Sequence, residues 1–220
     1  MPRFADRGDA GRRLGAALHH LRGEAPVILA LPRGGVPVGA EVARALDAPL
    51  DVLLVRKIGA PGNPELGLGA AVEGPEVTVV LDDRLVRIVA PSPGYVEAEI
   101  RRQGEEIARR RALYAPARTP IPLVGRCVVL VDDGIATGGT ARAALRALRR
   151  QGPVRLVLAA PVASPEAAAA LRSDADETVF LAMPDDFMAV GAFYGDFRQT
   201  GDEEVMQLLR EAGARTAGGG

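Results

Sequence analysis

The sequence is sparing with the residues that make disulfides, metal cages and lysine-rich surfaces. Its single cysteine, Cys127, cannot form an internal disulfide, which suits a reducing compartment such as the cytoplasm. Its only two histidines, His19 and His20, are adjacent and have no cysteine, histidine or carboxylate at ligand spacing, which argues against zinc. No apolar run approaches the roughly 18 residues needed to span a bilayer. The first residues, Met-Pro-Arg-Phe-Ala-Asp-Arg, are charged and lead into no apolar segment, which argues against a signal peptide. A formal net charge of -1 gives no reason to expect a nucleic acid or an anionic membrane as partner. Among 27 basic residues Lys57 is the only lysine, so that position either needs an ammonium or owes it to a chance codon. What remains is an ordinary globular composition, 220 residues with 48% hydrophobic and 25% charged. It is read as one domain over residues 1–212, with a disordered tail at 213–220.

Against this background residues 127 to 140 stand out, Cys-Val-Val-Leu-Val-Asp-Asp-Gly-Ile-Ala-Thr-Gly-Gly-Thr. Val128 to Val131 read as a strand buried on both faces, as in a parallel sheet covered by helices. Asp132 and Asp133 follow at its C-terminal end, then a small flexible turn, then the strong helix formers Ala141 to Arg150. Gly138 and Gly139 let the backbone bring its amides close to a ligand, and Thr137 and Thr140 add hydroxyls. The unpaired N–H groups opening the next helix, with the positive end of its dipole, make an anion pocket worth about 1 kcal/mol from the dipole alone. The turn should therefore hold a phosphate. The carboxylates beside it would repel that phosphate, so they must serve sugar hydroxyls or a metal ion. A phosphorylated sugar meets both demands. A Walker B strand also ends in acids, but no Gly-x-x-x-x-Gly-Lys-Ser/Thr accompanies this one. A plain core strand with a capped helix explains the valines and leaves the second acid and the paired glycines unexplained.

The stretch from Val128 to Thr140 resembles the phosphoribosyl-pyrophosphate motif of the type I phosphoribosyltransferases, a hydrophobic strand, two acids and a Thr-Gly-x-Thr loop. The resemblance implies that Asp132 and Asp133 meet the ribose 2′- and 3′-hydroxyls and contact Mg²⁺, mostly indirectly. It implies that Gly134, Ile135, Ala136, Thr137, Gly138, Gly139 and Thr140 wrap the 5′-phosphate. The expected fold is α/β, a mostly parallel central sheet flanked by helices, with a small C-terminal hood at about 184–200.

Taken in order, residues 9 to 22 place Leu14, Leu18 and Leu21 at helical spacing, as in a packing helix. Pro26 to Leu31 read as a buried strand, Pro32-Arg-Gly-Gly35 as a turn and Val36 to Leu46 as a helix, a second strand-turn-helix unit. An arginine between a proline and two glycines is preset to face an anion. In the resemblance, Arg33, Gly34 and Gly35 are similar to a pyrophosphate-binding loop, while an ordinary turn would also use the glycines. Leu50 to Lys57 read as one strand ending in Arg56 and Lys57, and residues 58 to 74, rich in glycine and proline, as a long irregular segment. The family has a mobile loop there, and the Arg-Lys pair at its base would complete the anion clamp. Val77 to Leu81 is a further strand-like run, followed by helices over 82–89 and 95–114. The second carries acids and arginines three or four apart, as on a solvated face, and could equally present arginines to a second copy in a homodimer.

Val154 to Ala160 read as a buried strand, Ser164-Pro165-Glu166 as a helix start and Glu177 to Ala182 as the last core strand. Phe187, Phe193, Tyr194 and Phe197 then crowd one segment. It resembles the base-side element of hypoxanthine-type enzymes, which implies a base pocket at Phe187, Val190, Phe193 and Asp196, although aromatics in a small flap also commonly fill its core. One departure is the run from Ala159 to Ala163, where 6-oxopurine enzymes carry a lysine. The implied activity is Mg²⁺-dependent transfer of ribose 5-phosphate from phosphoribosyl pyrophosphate to a nitrogenous base or other amine, releasing pyrophosphate. Arg33, Gly34, Gly35 and Lys57 would stabilise the leaving group and Asp132 and Asp133 the sugar. The alternative is a catalytically silent sensor that binds the nucleotide or donor and regulates a partner protein.

Overall fold

The computed structural model describes residues 4–74, 76–118 and 121–217. The chain opens with α1 (Arg7–Ala17), capped by Asp6, whose carboxylate accepts from the Asp9 amide. A 3₁₀ turn at His19–Glu24 leads to β1 (Val27–Ala30), α2 (Gly35–Leu46) and β2 (Leu50–Val52). Then come β3 (Val55–Ala60), β4 (Asn63–Val72), β5 (Thr78–Leu81), α3 (Asp83–Val89) and α4 (Tyr95–Tyr114). The remainder is β6 (Cys127–Val131), α5 (Gly139–Arg149), β7 (Arg155–Val162), α6 (Pro165–Leu171), β8 (Glu177–Ala182) and α7 (Asp202–Ala217).

The central sheet runs β2-β1-β6-β7-β8, and every pairing in it is parallel. This is the α/β class that alternating strands and helices imply. Because side chains alternate across a strand, Ile28, Ala30, Val129 and Val131 face a core with α1, α2 and α7, and Val27, Leu29, Val128 and Leu130 face one with α5 and α6. Burying each such Val or Leu contributes about 1.5–3 kcal/mol. From β1 the chain first crosses to β2 on one side and later returns to β6 on the other. The gap beyond the C-terminal ends of β1 and β6 is therefore the topological switch point, where open α/β sheets bind ligands.

Three expectations are corrected. The run from Leu50 to Lys57 is two strands, not one: Leu53 still donates to Ala30 O at 3.0 Å, but Leu54 already exchanges bonds with Glu73, so β3 leaves the central sheet for another. Residues 58 to 74 are not irregular through most of their length. They complete an antiparallel β3-β4 hairpin that β5 joins, and Val77 to Leu81 thus contributes to this second sheet. The glycines that read as loop residues permit close packing instead: a Cβ on Gly69 would lie 2.2 Å from Val80 O. Finally, residues 213–217, expected as tail, continue α7, because Val205, Leu209 and Ala212 recur at helical spacing and bury against the sheet's helical layer. Residues 218–220 lie outside the described residues.

Candidate active site

Ala30 pairs with Val131, and the Leu31 amide donates to Val131 O at 2.9 Å, so the turns after β1 and β6 leave the sheet side by side. The contact is close. A Cβ on Gly35 would lie 2.8 Å from Val131 O and 3.1 Å from Asp132 Cα, and one on Gly34 would lie 2.0 Å from Asp133 Oδ2. Both glycines are thus demanded by the acidic motif crossing over them. The peptide between Pro32 and Arg33 is cis. Arg33 lies near enough to Tyr114 for its positive charge to oppose the rise of that phenol, which burial and a hydrogen bond to Asp202 push up to about 12.

The residues expected to wrap a phosphate are held from below. Ile135 is buried and pairs with Ala163, donating to Val162 O at 2.9 Å and accepting from the Ser164 amide at 2.9 Å. Ser164 also donates its hydroxyl to Ala136 O at 2.7 Å while accepting from the Ala167 amide. Ser164 therefore anchors the loop as well as capping α6, a role its cap signature does not reveal. Ala136, Thr137, Gly139 and Thr140 are exposed. Gly138, with φ +76, is the N-cap of α5 and supplies no side-chain bond, so the first amides of α5 are open to an anion. A cavity of about 490 Å³ adjoins this loop, between Thr137, Ser164, Glu166, Phe187 and Met188. The larger cavity, about 1200 Å³, lies elsewhere, around Asp51, Glu73 and Arg118, and contains none of the motif.

The two acids differ. Asp132 Oδ1 accepts from the Asp133 amide at 2.9 Å, and burial, with the Asp133 charge next, pushes the Asp132 carboxyl well above the usual carboxylate range. Asp133 is ion-paired: Oδ2 accepts from Arg7 Nε at 2.8 Å and lies 2.7 Å from Arg7 Nη2. The Tyr194 hydroxyl donates to Asp133 O at 2.5 Å, and burial, then the Asp133 charge, raise that phenol. Arg7 also donates to Arg198 O at 2.8 Å and lies 4.0 Å from the Phe197 ring centroid. Sequence reasoning missed Arg7, which sits at the start of a packing helix and has no local signature.

The other expected residues divide. Arg56 donates to Gln103 of α4 at 3.2 Å, while its neighbour Lys57 lies over Gly67 and is exposed, so the two side chains leave opposite faces of β3 and do not converge. Val190 packs onto Gly134, where an added Cβ would meet its Cγ1 at 2.3 Å. Phe187 is half-buried and stacks on Phe193 at 5.7 Å. Phe193 is only 6% exposed, in a cluster with Phe4, Val162 and Tyr194. Asp196 points outward to Arg198.

Adjoining glycine turns, an acid pair and an open helix start thus meet at the switch point of a parallel sheet in an α/β protein. Residues 6–193 match the family model described as "Phosphoribosyl transferase domain", and the chain belongs to that family. Proteins from two strains of Mycobacterium tuberculosis, provisionally named phosphoribosyl transferases, are 48% identical over 212 residues, 96% of this chain and 47% of theirs. The chain thus spans about half the length of these curated relatives. The crystal structure of TT1426 from Thermus thermophilus is 50% identical, with a TM-score of 0.83 over 95% of this chain and 98% of that one.

Proposed function

We propose that the protein transfers ribose 5-phosphate from phosphoribosyl pyrophosphate to a nitrogenous base or other amine and releases pyrophosphate. The observation that carries this reading is the packing of Gly34 and Gly35 against Asp132 and Asp133, with the uncapped start of α5 alongside. It allows one ligand to span both turns. The α5 amides with Thr137 and Thr140 take the 5′-phosphate, the acids accept from sugar hydroxyls, and Arg33 with the Gly34 amide faces the pyrophosphate, while the Gly35 amide donates to Leu31 O at 3.0 Å and holds the turn. As the C1–oxygen bond breaks, positive charge grows on the sugar and negative charge on pyrophosphate. The carboxylates stabilise the first and Arg33 the second. Lys57, exposed on β3, extends the positive wall. Phe187 and Val190 supply the apolar side of the acceptor pocket, with Phe193 supporting Phe187 from the core.

The donor set fits Mg²⁺. Two carboxylates meet here, and among the described residues no three of His, Cys, Asp or Glu gather to form a protein-only cage. Mg²⁺ keeps waters and is commonly held by one or two carboxylates together with substrate phosphates. Asp132 and Asp133 would hold it mostly through water, and when bound it neutralises pyrophosphate charge.

The test is pyrophosphate release with the sugar pyrophosphate and a panel of bases, alongside Asp132→Asn. Turnover with one base, lost in the variant while the fold persists, is the expected result. Tight donor binding with no release against any base would favour the sensor instead, consistent with the lysine-free run from Ala159 to Ala163.

A further inference from the structure

We infer that Arg7 is a positioning residue for the donor sugar: it pins one oxygen of Asp133 so that the other is presented to a hydroxyl. The inference rests on the donor-binding reading above and adds to it a residue from outside every motif. Oδ2 of Asp133 is enclosed, with the Arg7 guanidinium at 2.7–2.8 Å on one side and the backbone of Gly34 on the other. No sugar atom fits there. Oδ1 is farther from Gly34, 3.2 Å from the position of an added Cβ against 2.0 Å for Oδ2, and no arginine or backbone donor among the described residues reaches it, the Asp132 carboxyl being the polar group beside Asp133. A carboxylate with one oxygen locked and one open is oriented for a single incoming hydroxyl.

The guanidinium is itself held in place. It donates to Arg198 O at 2.8 Å and rests on the Phe197 ring, and its side chain is only 11% exposed. Behind it, the segment before α1 is stitched to the hood: Phe4 bridges Tyr194, the Gly195 amide donates to Phe4 O at 2.8 Å and the Asp196 amide to Ala5 O at 2.8 Å. Tyr194 grips the Asp133 carbonyl from the same unit. The N-terminal segment, the hood and the second acid are thus joined to one another, and the fork of arginine links them. A residue that merely neutralised a partly buried acid would not need this second set of supports.

The test compares two probes by titration calorimetry on the full chain, ribose 5-phosphate, which reaches both turn and acids, and inorganic phosphate, which reaches the turn alone. Arg7→Met should weaken ribose 5-phosphate about tenfold, the worth of one charge-assisted hydrogen bond, and leave phosphate unchanged. Arg7→Lys keeps the charge but not the fork, so it should restore part of the loss. If Arg7→Met does not fold, Arg7→Lys decides alone, since a purely electrostatic role predicts wild-type affinity there. Ribose 5-phosphate affinity at the wild-type level in both variants, an equal loss for both probes, or tighter ribose 5-phosphate binding without Arg7 would overturn the inference while leaving the donor reading intact. Failure of the wild type to bind ribose 5-phosphate would overturn the donor reading itself.

Discussion

Gly34→Ala tests the shared space between the two turns. Gly34 is the N-cap of α2 with φ -61 and ψ -34, a conformation alanine adopts freely, and the change at the cap itself costs under about 1 kcal/mol because no side-chain cap bond is lost. Any larger loss must come from the added carbon. That carbon would lie 2.0 Å from Asp133 Oδ2 and 2.6 Å from Cγ, where real contacts stay above 3.0 Å, so the carboxylate must retreat by about 1 Å. It cannot do so and keep Arg7 at 2.7–2.8 Å. The broken charged bond should destabilise the fold by about 1–3 kcal/mol. Misplacing the carboxylate that holds the sugar should weaken ribose 5-phosphate binding about tenfold, the worth of one charged hydrogen bond. Thermal melting and ribose 5-phosphate affinity read the two effects separately. In an Asp133→Ala background the same change should cost almost nothing, because the atoms it strikes are gone. Wild-type melting and affinity in Gly34→Ala would refute the claim that the turns are locked together.

Two other expectations concern the frame rather than the site. Arg118 is largely buried and donates to Asp51 Oδ1 at 2.7 Å, to Asp51 Oδ2 at 3.1 Å and to Glu73 Oε1 at 2.7 Å. Arg118→Met should destabilise by about 3 kcal/mol, the low end for a broken buried pair because Arg111 still reaches Glu73, and lower Tm by about 10 °C. Burial already raises the Asp51 carboxyl and Arg118 opposes it; a carboxyl raised in the folded state loses stability as pH climbs through its folded value, so the deficit should be larger at pH 8 than at pH 5. A Tm change under about 2 °C by calorimetry would contradict the network's importance. Cys127 is 2% exposed and its thiol is pushed up to about 12, by burial first and then by the Glu24 charge. An aromatic disulfide reagent at pH 8 should leave the native thiol untouched and modify it only on unfolding, and prompt reaction of the folded protein would show the strand to be open.

Much of the fold was legible because its signals are local. A run such as Val128 to Val131 can only be a doubly buried strand, and Gly138 ahead of Ala141 to Arg150 marks where a helix must begin. The same locality misled at residues 50 to 81. There Gly69, which read as flexibility, is a packing residue, and the step between sheets at Leu53 and Leu54 depends on a bond to Glu73 that no short window of sequence contains. Adjacent residues on a strand also part company, so the pairing of Arg56 with Lys57 as one clamp was a one-dimensional inference that β3 resolves into two faces.

Arg7 shows where local reading ends. Two carboxylates side by side, one of them partly buried and pushed up by desolvation, require a cation nearby or a retained proton, so the acids alone predict that some positive group must come to them. They do not say which, in a chain that writes arginine almost everywhere. The partner turns out to be 126 residues away, at the start of a helix whose visible purpose is packing. It arrives because β1 and β6 are neighbours, because the segment ahead of α1 pairs with residues 194 to 196, and because Phe197 gives the guanidinium a surface to lie on. Each of those steps is a tertiary fact. A motif therefore tells which atoms meet the ligand, and only the fold tells what holds those atoms still.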